Sequence, residues 1–118
     1  MNKLTKSEED VMQILWDLKQ AFVKELITAM PEPRPPYNTI SSVVRVLEKK
    51  GFVSYEAFGK THRYHPIIAK SEYRRFAFKQ LFKNYFDSSH QTLLQHFAKE
   101  EGLDKSDLES MLNDLKND

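Results

Sequence analysis

The sequence predicts a mainly α-helical fold carrying one small β-hairpin, and three observations predict it. Apolar residues recur at i, i+3, i+4 and i+7 in several separate segments, the spacing of helices with one buried face. Between Tyr37 and Pro66, a helical pattern closed by Gly51 runs directly into two alternating segments joined at Gly59-Lys60. Four of the five prolines crowd into Pro31 to Pro36, separating the helices before them from the unit after them.

The first helix is expected over about Thr5 to Leu18. Thr5-Lys6-Ser7-Glu8 has capping-box spacing, and Glu8, Glu9 and Asp10 place negative charge near the positive end of the helix dipole. Val11, Ile14, Leu15 and Leu18 form its apolar stripe, widened by Met12 and Trp16. A second helix, about Phe22 to Met30, turns Phe22, Val23, Leu26 and Ile27 inward. Pro31 to Pro36 then forms an extended connector, too long for the tight turn of a minimal helix-turn-helix. The third helix, Asn38 to Lys50, buries Ile40, Val43, Val44 and Leu47 and shows Asn38, Ser41, Ser42, Arg45 and Lys49 outward. The hairpin strands are Phe52 to Phe58 and Thr61 to Pro66. Alternation puts His62 and Tyr64 on one face and Thr61, Arg63 and His65 on the other. Trp16, Phe52 and Tyr64 read as core.

After Pro66 the pattern is helical again. Ser71 to Phe86 carries Tyr73, Phe76, Ala77, Phe78, Leu81, Phe82, Tyr85 and Phe86, more apolar surface than one helix of a small bundle buries. Shorter helices are expected over Ser89 to Glu101, with Leu94 and Phe97, and over Lys105 to Lys116, with Leu108, Met111, Leu112 and Leu115. A homodimer is the economical way to cover these side chains. The interface expected is Tyr73, Phe76, Leu81, Phe82, Tyr85, Leu94, Phe97, Leu108, Met111, Leu112 and Leu115. The division expected is therefore 1–70 for the helix-and-hairpin unit and 71–118 for a helical dimerisation region.

Composition narrows the function. The chain has 118 residues, the size of one domain or a small pair, and its charged fraction is that of a globular protein. No apolar run approaches the roughly 18 residues of a membrane helix, and the first residues lack the apolar core of a secretion signal. The absence of cysteine excludes disulfides and thiolate metal sites, and makes the cytoplasm the expected address, with no membrane insertion. His62 and His65 fall on opposite faces of a strand, and nothing near them in sequence completes a metal site, so no metal and no cofactor is expected. Three glycines, no phosphate loop and no Ser-His-Asp spacing make an enzyme a poor reading.

The net charge of +1 hides an asymmetry. Residues 45 to 79 hold nine Lys or Arg against three Glu, a local balance of +6, whereas the chain from Phe86 onward is acidic. A helix about 10–12 Å across enters a major groove about 12 Å wide, and a basic hairpin beside it reaches the backbone or the minor groove. This is the winged-helix plan for double-stranded DNA. Arg45 is placed to meet a guanine edge or a phosphate, and Ser41 and Ser42 base edges or backbone oxygens. Asn38 and Thr39 sit where the helix N-terminus favours a phosphate, with an N-cap as the competing role for Asn38. Lys49 extends the basic face, and Lys60 and Arg63 on the wing meet phosphate or a narrow minor groove.

Three segments in order also resemble one family. Leu4-Thr5-Lys6-Ser7-Glu8-Glu9-Asp10-Val11-Met12-Gln13-Ile14-Leu15-Trp16 is similar to the first-helix signature of the penicillinase-repressor family, the BlaI/MecI type of bacterial transcriptional repressor. Asn38-Thr39-Ile40, Leu47-Glu48-Lys49-Lys50-Gly51-Phe52-Val53 and the wing Gly59 to Pro66 resemble it too, and the likeness covers nearly the whole chain. The resemblance implies a homodimeric repressor on a palindromic promoter operator, with the tail helices forming the dimer. It also implies control of a resistance or β-lactamase-type operon, with release by a membrane sensor protease. The cleaved pair in the family is typically Asn-Phe; the matching pair here is His96-Phe97, which keeps the Phe and replaces the Asn. A copper-responsive branch carries a C-terminal cysteine cluster, which this cysteine-free chain lacks. The Arg usual before the Leu of the third helix is Val46 here, and the Arg stands at Arg45 instead.

Two other classes compete. A winged helix used for protein–protein contact predicts an apolar or acidic outer face, against which Ser41, Ser42, Arg45 and Lys49 argue. A directly ligand-sensing regulator would hold a small molecule among Phe78, Phe82 and Phe86, although such stripes are more often dimer core.

Overall fold

The computed structural model describes residues 1–83 together with Lys99 and Ser106. Helix α1 spans Lys6–Leu18 and begins with the reciprocal cap that the spacing predicts. The Glu8 backbone N–H donates to Thr5 Oγ1 at 3.3 Å, and the Thr5 N–H donates to Glu8 Oε1 at 2.8 Å. Val11, Met12 and Leu15 are buried. Leu18, expected in the stripe, is exposed, so the apolar pattern runs one turn further than the surface it packs against. Trp16 is half-buried rather than core, and its indole N–H donates to the Ile68 carbonyl at 2.9 Å.

The second helix is shorter than expected. Ala21–Phe22 forms a strand, β1, and α2 covers only Val23–Thr28, with the Glu25 carboxylate accepting the Phe22 N–H at 2.9 Å. A two-residue strand carries no alternation to read; it exists because a hairpin strand some forty residues later accepts it as a neighbour. The connector is irregular, as its prolines require. Within it, the Arg34 guanidinium donates to the carbonyls of Thr28 and Met30 at 3.2 and 3.3 Å, closing the end of α2.

Helix α3 spans Tyr37–Lys49, with Pro36 at the N-cap. Asn38 is therefore inside the first turn and makes no cap, a correction to its competing role. Proline at the entrance supplies a fixed φ where no backbone donor is needed, and that signal outweighed the Asn. Ile40, Val44 and Leu47 are buried and Val43 half-buried. The helix ends in a Schellman motif: Phe52 N–H donates to Leu47 O at 2.9 Å and Gly51 N–H to Glu48 O at 3.0 Å, with Gly51 at φ 83°. Phe52 and Leu47, which that motif brings together, are both fully buried.

The chain then forms β2 (Val53–Phe58) and β3 (Thr61–Pro66), paired antiparallel from Val53↔Pro66 to Phe58↔Thr61. Gly59 takes the turn at φ 64°, while Lys60 does not need a positive φ, the pattern of a Gly-X hairpin turn. The sheet has three strands in the order β1-β3-β2, one more than the sequence suggested. Tyr64 is buried, and His62, on the same face, stacks on Tyr55 at 3.9 Å between ring centroids.

One ion pair ties the start of α1 to the end of α3. Lys50 Nζ lies 2.8 and 3.0 Å from the two carboxylate oxygens of Glu8, whose residue is only 6% exposed. Burial alone would raise the Glu8 carboxyl. The bonds from Lys50 and Thr5 outweigh it and hold the group below its ordinary 4.5.

The chain divides into two compact units, Met1–Glu72 and Tyr73–Asp118. Helix α4, Lys70–Lys83, is described to Lys83. Along it Tyr73 and Phe78 are buried, Phe76 is half-buried, and Leu81 is exposed. The side chain of Phe82 lies outside the described residues. So do Tyr85, Phe86, Leu94, His96, Phe97, Leu108, Met111, Leu112 and Leu115, with the two later helices expected from the sequence.

Candidate nucleic-acid interface

The outer face of α3 is built by its own inner face. Once Ile40, Val44 and Leu47 are locked in the core, helical geometry turns Asn38, Ser42, Arg45 and Lys49 to solvent, and all four are exposed. Thr39 is exposed on one flank, and Ser41 is half-buried on the other. Among the described residues, no ion pair engages Arg45, Lys49 or Lys60. The face thus carries two exposed cations, Arg45 and Lys49, with Glu48 and Val46 exposed on the same helix.

Beside it, α3 and the wing enclose a groove of about 550 Å³. Ser41, Arg45 and Tyr37 line one wall, and Lys60, Thr61 and Phe58 line the other. The buried Tyr64 lines it as well, its hydroxyl pushed above 10.0 chiefly by burial, so it stays a neutral donor. Two residues that sequence reading passed over belong here: Lys24 from α2, and Tyr37 at the first position of α3. Tyr37 had a signal, since it directly follows a proline suited to a helix entrance. Lys24 had none, because nothing local says that the outer side of α2 faces the wing.

Arg63 stands differently from the other cations. Its Nη2 lies 3.2 Å from Glu56 Oε2, and its guanidinium carbon sits 4.7 Å from the centre of the Phe58 ring. Phe58 in turn meets Phe22 edge-on at 5.7 Å between centroids. Arg63 is thus half-buried in a lattice on the outer face of the sheet, and it braces the wing as much as it charges it. Among the described residues, no three His, Cys, Asp or Glu gather as metal ligands, and no helix is long and apolar enough to cross a membrane.

A cationic helix face, a paired-strand wing and a groove between them define the class of a winged-helix regulator. The comparisons give the particular family. The model of the family described as "Penicillinase repressor" matches residues 4–117, and the chain belongs to that family. It is 24% identical over 114 residues to the methicillin resistance regulatory protein MecI of Mammaliicoccus sciuri, covering 96% of this chain and 93% of that one. It is 32% identical over 85 residues to an uncharacterized 16.5 kDa protein of Latilactobacillus sakei, covering 70% of this chain and 58% of that one. The solution structure of the DNA-binding domain of the repressor BlaI superposes with a TM-score of 0.53 at 26% identity, covering 62% of this chain and 94% of that domain. The family is one of repressors, not of enzymes, which agrees with the expectation from the sequence.

Proposed function

We propose that this protein is a sequence-specific, double-stranded-DNA-binding transcriptional repressor that acts as a homodimer on a palindromic promoter operator. The observation that carries this is the unpaired cationic face of α3 (Ser42, Arg45 and Lys49) set beside a wing tip bearing Lys60 across an open groove. The α3 face enters the major groove, with Asn38, Thr39 and Ser41 at its entrance. The sugar-phosphate ridge then lies in the groove between helix and wing, within reach of Lys24, Tyr37 and Lys60. Residues 1–70 bind DNA and 71–118 hold two chains together, so that two α3 helices meet half-sites one or two helical turns apart. In a dimer the exposed Leu81 gains cover, and removing residues after Asn84 is expected to leave a monomer that binds the operator weakly. A truncated chain that still sediments as a dimer would contradict that.

Control of a resistance operon, with release by a membrane sensor protease cutting at His96-Phe97, extends the same reading. The family membership and the retained Phe97 support it. Binding of the purified chain to DNA from its own upstream region, against scrambled DNA at two salt concentrations, tests the core of the proposal. A salt-sensitive, specific complex with two chains per site is expected. Equal affinity for both DNAs would remove the sequence-specific reading.

A further inference from the structure

We infer that Val46 is a base-reading residue, and that the feature it reads is the 5-methyl group of a thymine. The inference rests on the DNA-binding reading above and adds a specificity determinant that the charged residues do not supply. Val46 is 40% exposed in the last turn of α3, on the flank of its outer surface that also carries Thr39. Helical spacing places it one turn after Ser42, two turns after Thr39 and one turn before Lys49, so it shares their side of the helix. Apart from Tyr37 at the helix entrance, it is the only large hydrophobic residue of α3 that is exposed. Every other aliphatic residue of the helix is buried or half-buried; Val43, one turn before Val46, is half-buried between it and the core.

The chemistry of the major groove then restricts what such a side chain can meet. Base edges there present donors and acceptors, and the one apolar group among them is the thymine methyl. A branched aliphatic chain pressed against an amino group or carbonyl would bury that polar group without a partner. Against a thymine methyl, both sides lose apolar surface to water. Arg45 beside it suits a guanine edge, so one turn of α3 carries a polar and an apolar reader together.

The test begins with duplexes enriched from random sequence by the full-length wild-type protein. Each thymine of the winning site is replaced singly by deoxyuridine, which removes only the methyl, and Kd is measured for wild type and for Val46→Ala. At one thymine per half-site the wild-type chain is expected to weaken about three- to five-fold, the size set by one buried methyl group, while Val46→Ala is insensitive there. Val46→Thr, which keeps one methyl, should fall between them. Because Val46 is exposed, the variants should melt with the wild type, and a shared melting temperature separates lost reading from lost folding. A wild-type protein indifferent to every uracil, or an equal loss in Val46→Ala, overturns the assignment while leaving the repressor reading intact. A protein that enriches no sequence overturns that reading, and this inference with it.

Discussion

Helix α3 and the wing both bring cations to one groove, yet they are held in place by different means. The helix is fixed at its far end by Lys50, whose ammonium meets a Glu8 carboxylate that is almost wholly buried. The wing is braced by Arg63 and Glu56, whose side chains are 30% and 64% exposed. Buried in that way, a pair is costly to break because one charge is left without a partner or water. An exposed pair contributes little, since water and salt screen it. On the proposed reading, the element that meets base edges is tied by a buried pair, and the element that meets backbone is braced by rings and a weak pair. A misplaced reader loses specificity, whereas a phosphate contact tolerates adjustment.

The largest effect expected from this contrast is on stability. Lys50→Met should cost about 3 kcal/mol, because the Glu8 carboxylate stays buried and loses its partner. Thermal or denaturant unfolding reads this directly, and a loss below about 1 kcal/mol would show that water reaches Glu8. The same pair sets a pH dependence. The folded Glu8 carboxyl is held below its ordinary 4.5, so its contribution is fully present above that value. It is lost as pH falls through the lower folded value. Glu8→Gln should flatten this acid limb, measured as melting temperature from neutral pH downward.

Smaller effects fall on the wing. Lys60→Ala should weaken binding to operator and random DNA alike and reduce the salt slope by about one ion. Unequal losses on the two DNAs would give Lys60 a part in reading sequence. Smallest is Glu56→Gln. It removes a carboxylate from the wing and releases Arg63, so random DNA should bind about two-fold tighter at low salt, with stability changed by less than about 0.5 kcal/mol. A clear loss of stability would show that the exposed pair holds the wing after all.

The same division explains what the sequence disclosed. The Thr5-Glu8 cap, the Gly51 stop and the Gly59-Lys60 turn are local: each is decided by residues within a few positions, and each formed as the spacing implied. The outer residues of α3 were legible because its inner ones were. What stayed hidden is held by distant partners. Strand β1 exists only against β3, and Glu8 finds Lys50 forty-two residues away. The tie on Arg63 depends on hairpin register, which sets Glu56 across from it. Lys24 reaches the groove because α2 packs where it does, and no periodicity records that.

The central claim is that α3 reads sequence while the wing holds backbone. Its most direct test is the affinity of Arg45→Ala, beside wild type, for the operator and for random DNA at the same salt. The account predicts a loss of about 1–3 kcal/mol on the operator and much less on random DNA, so that discrimination shrinks. Equal losses on both would mean that Arg45 only holds phosphate, and would contradict the assignment of reading to that face of α3.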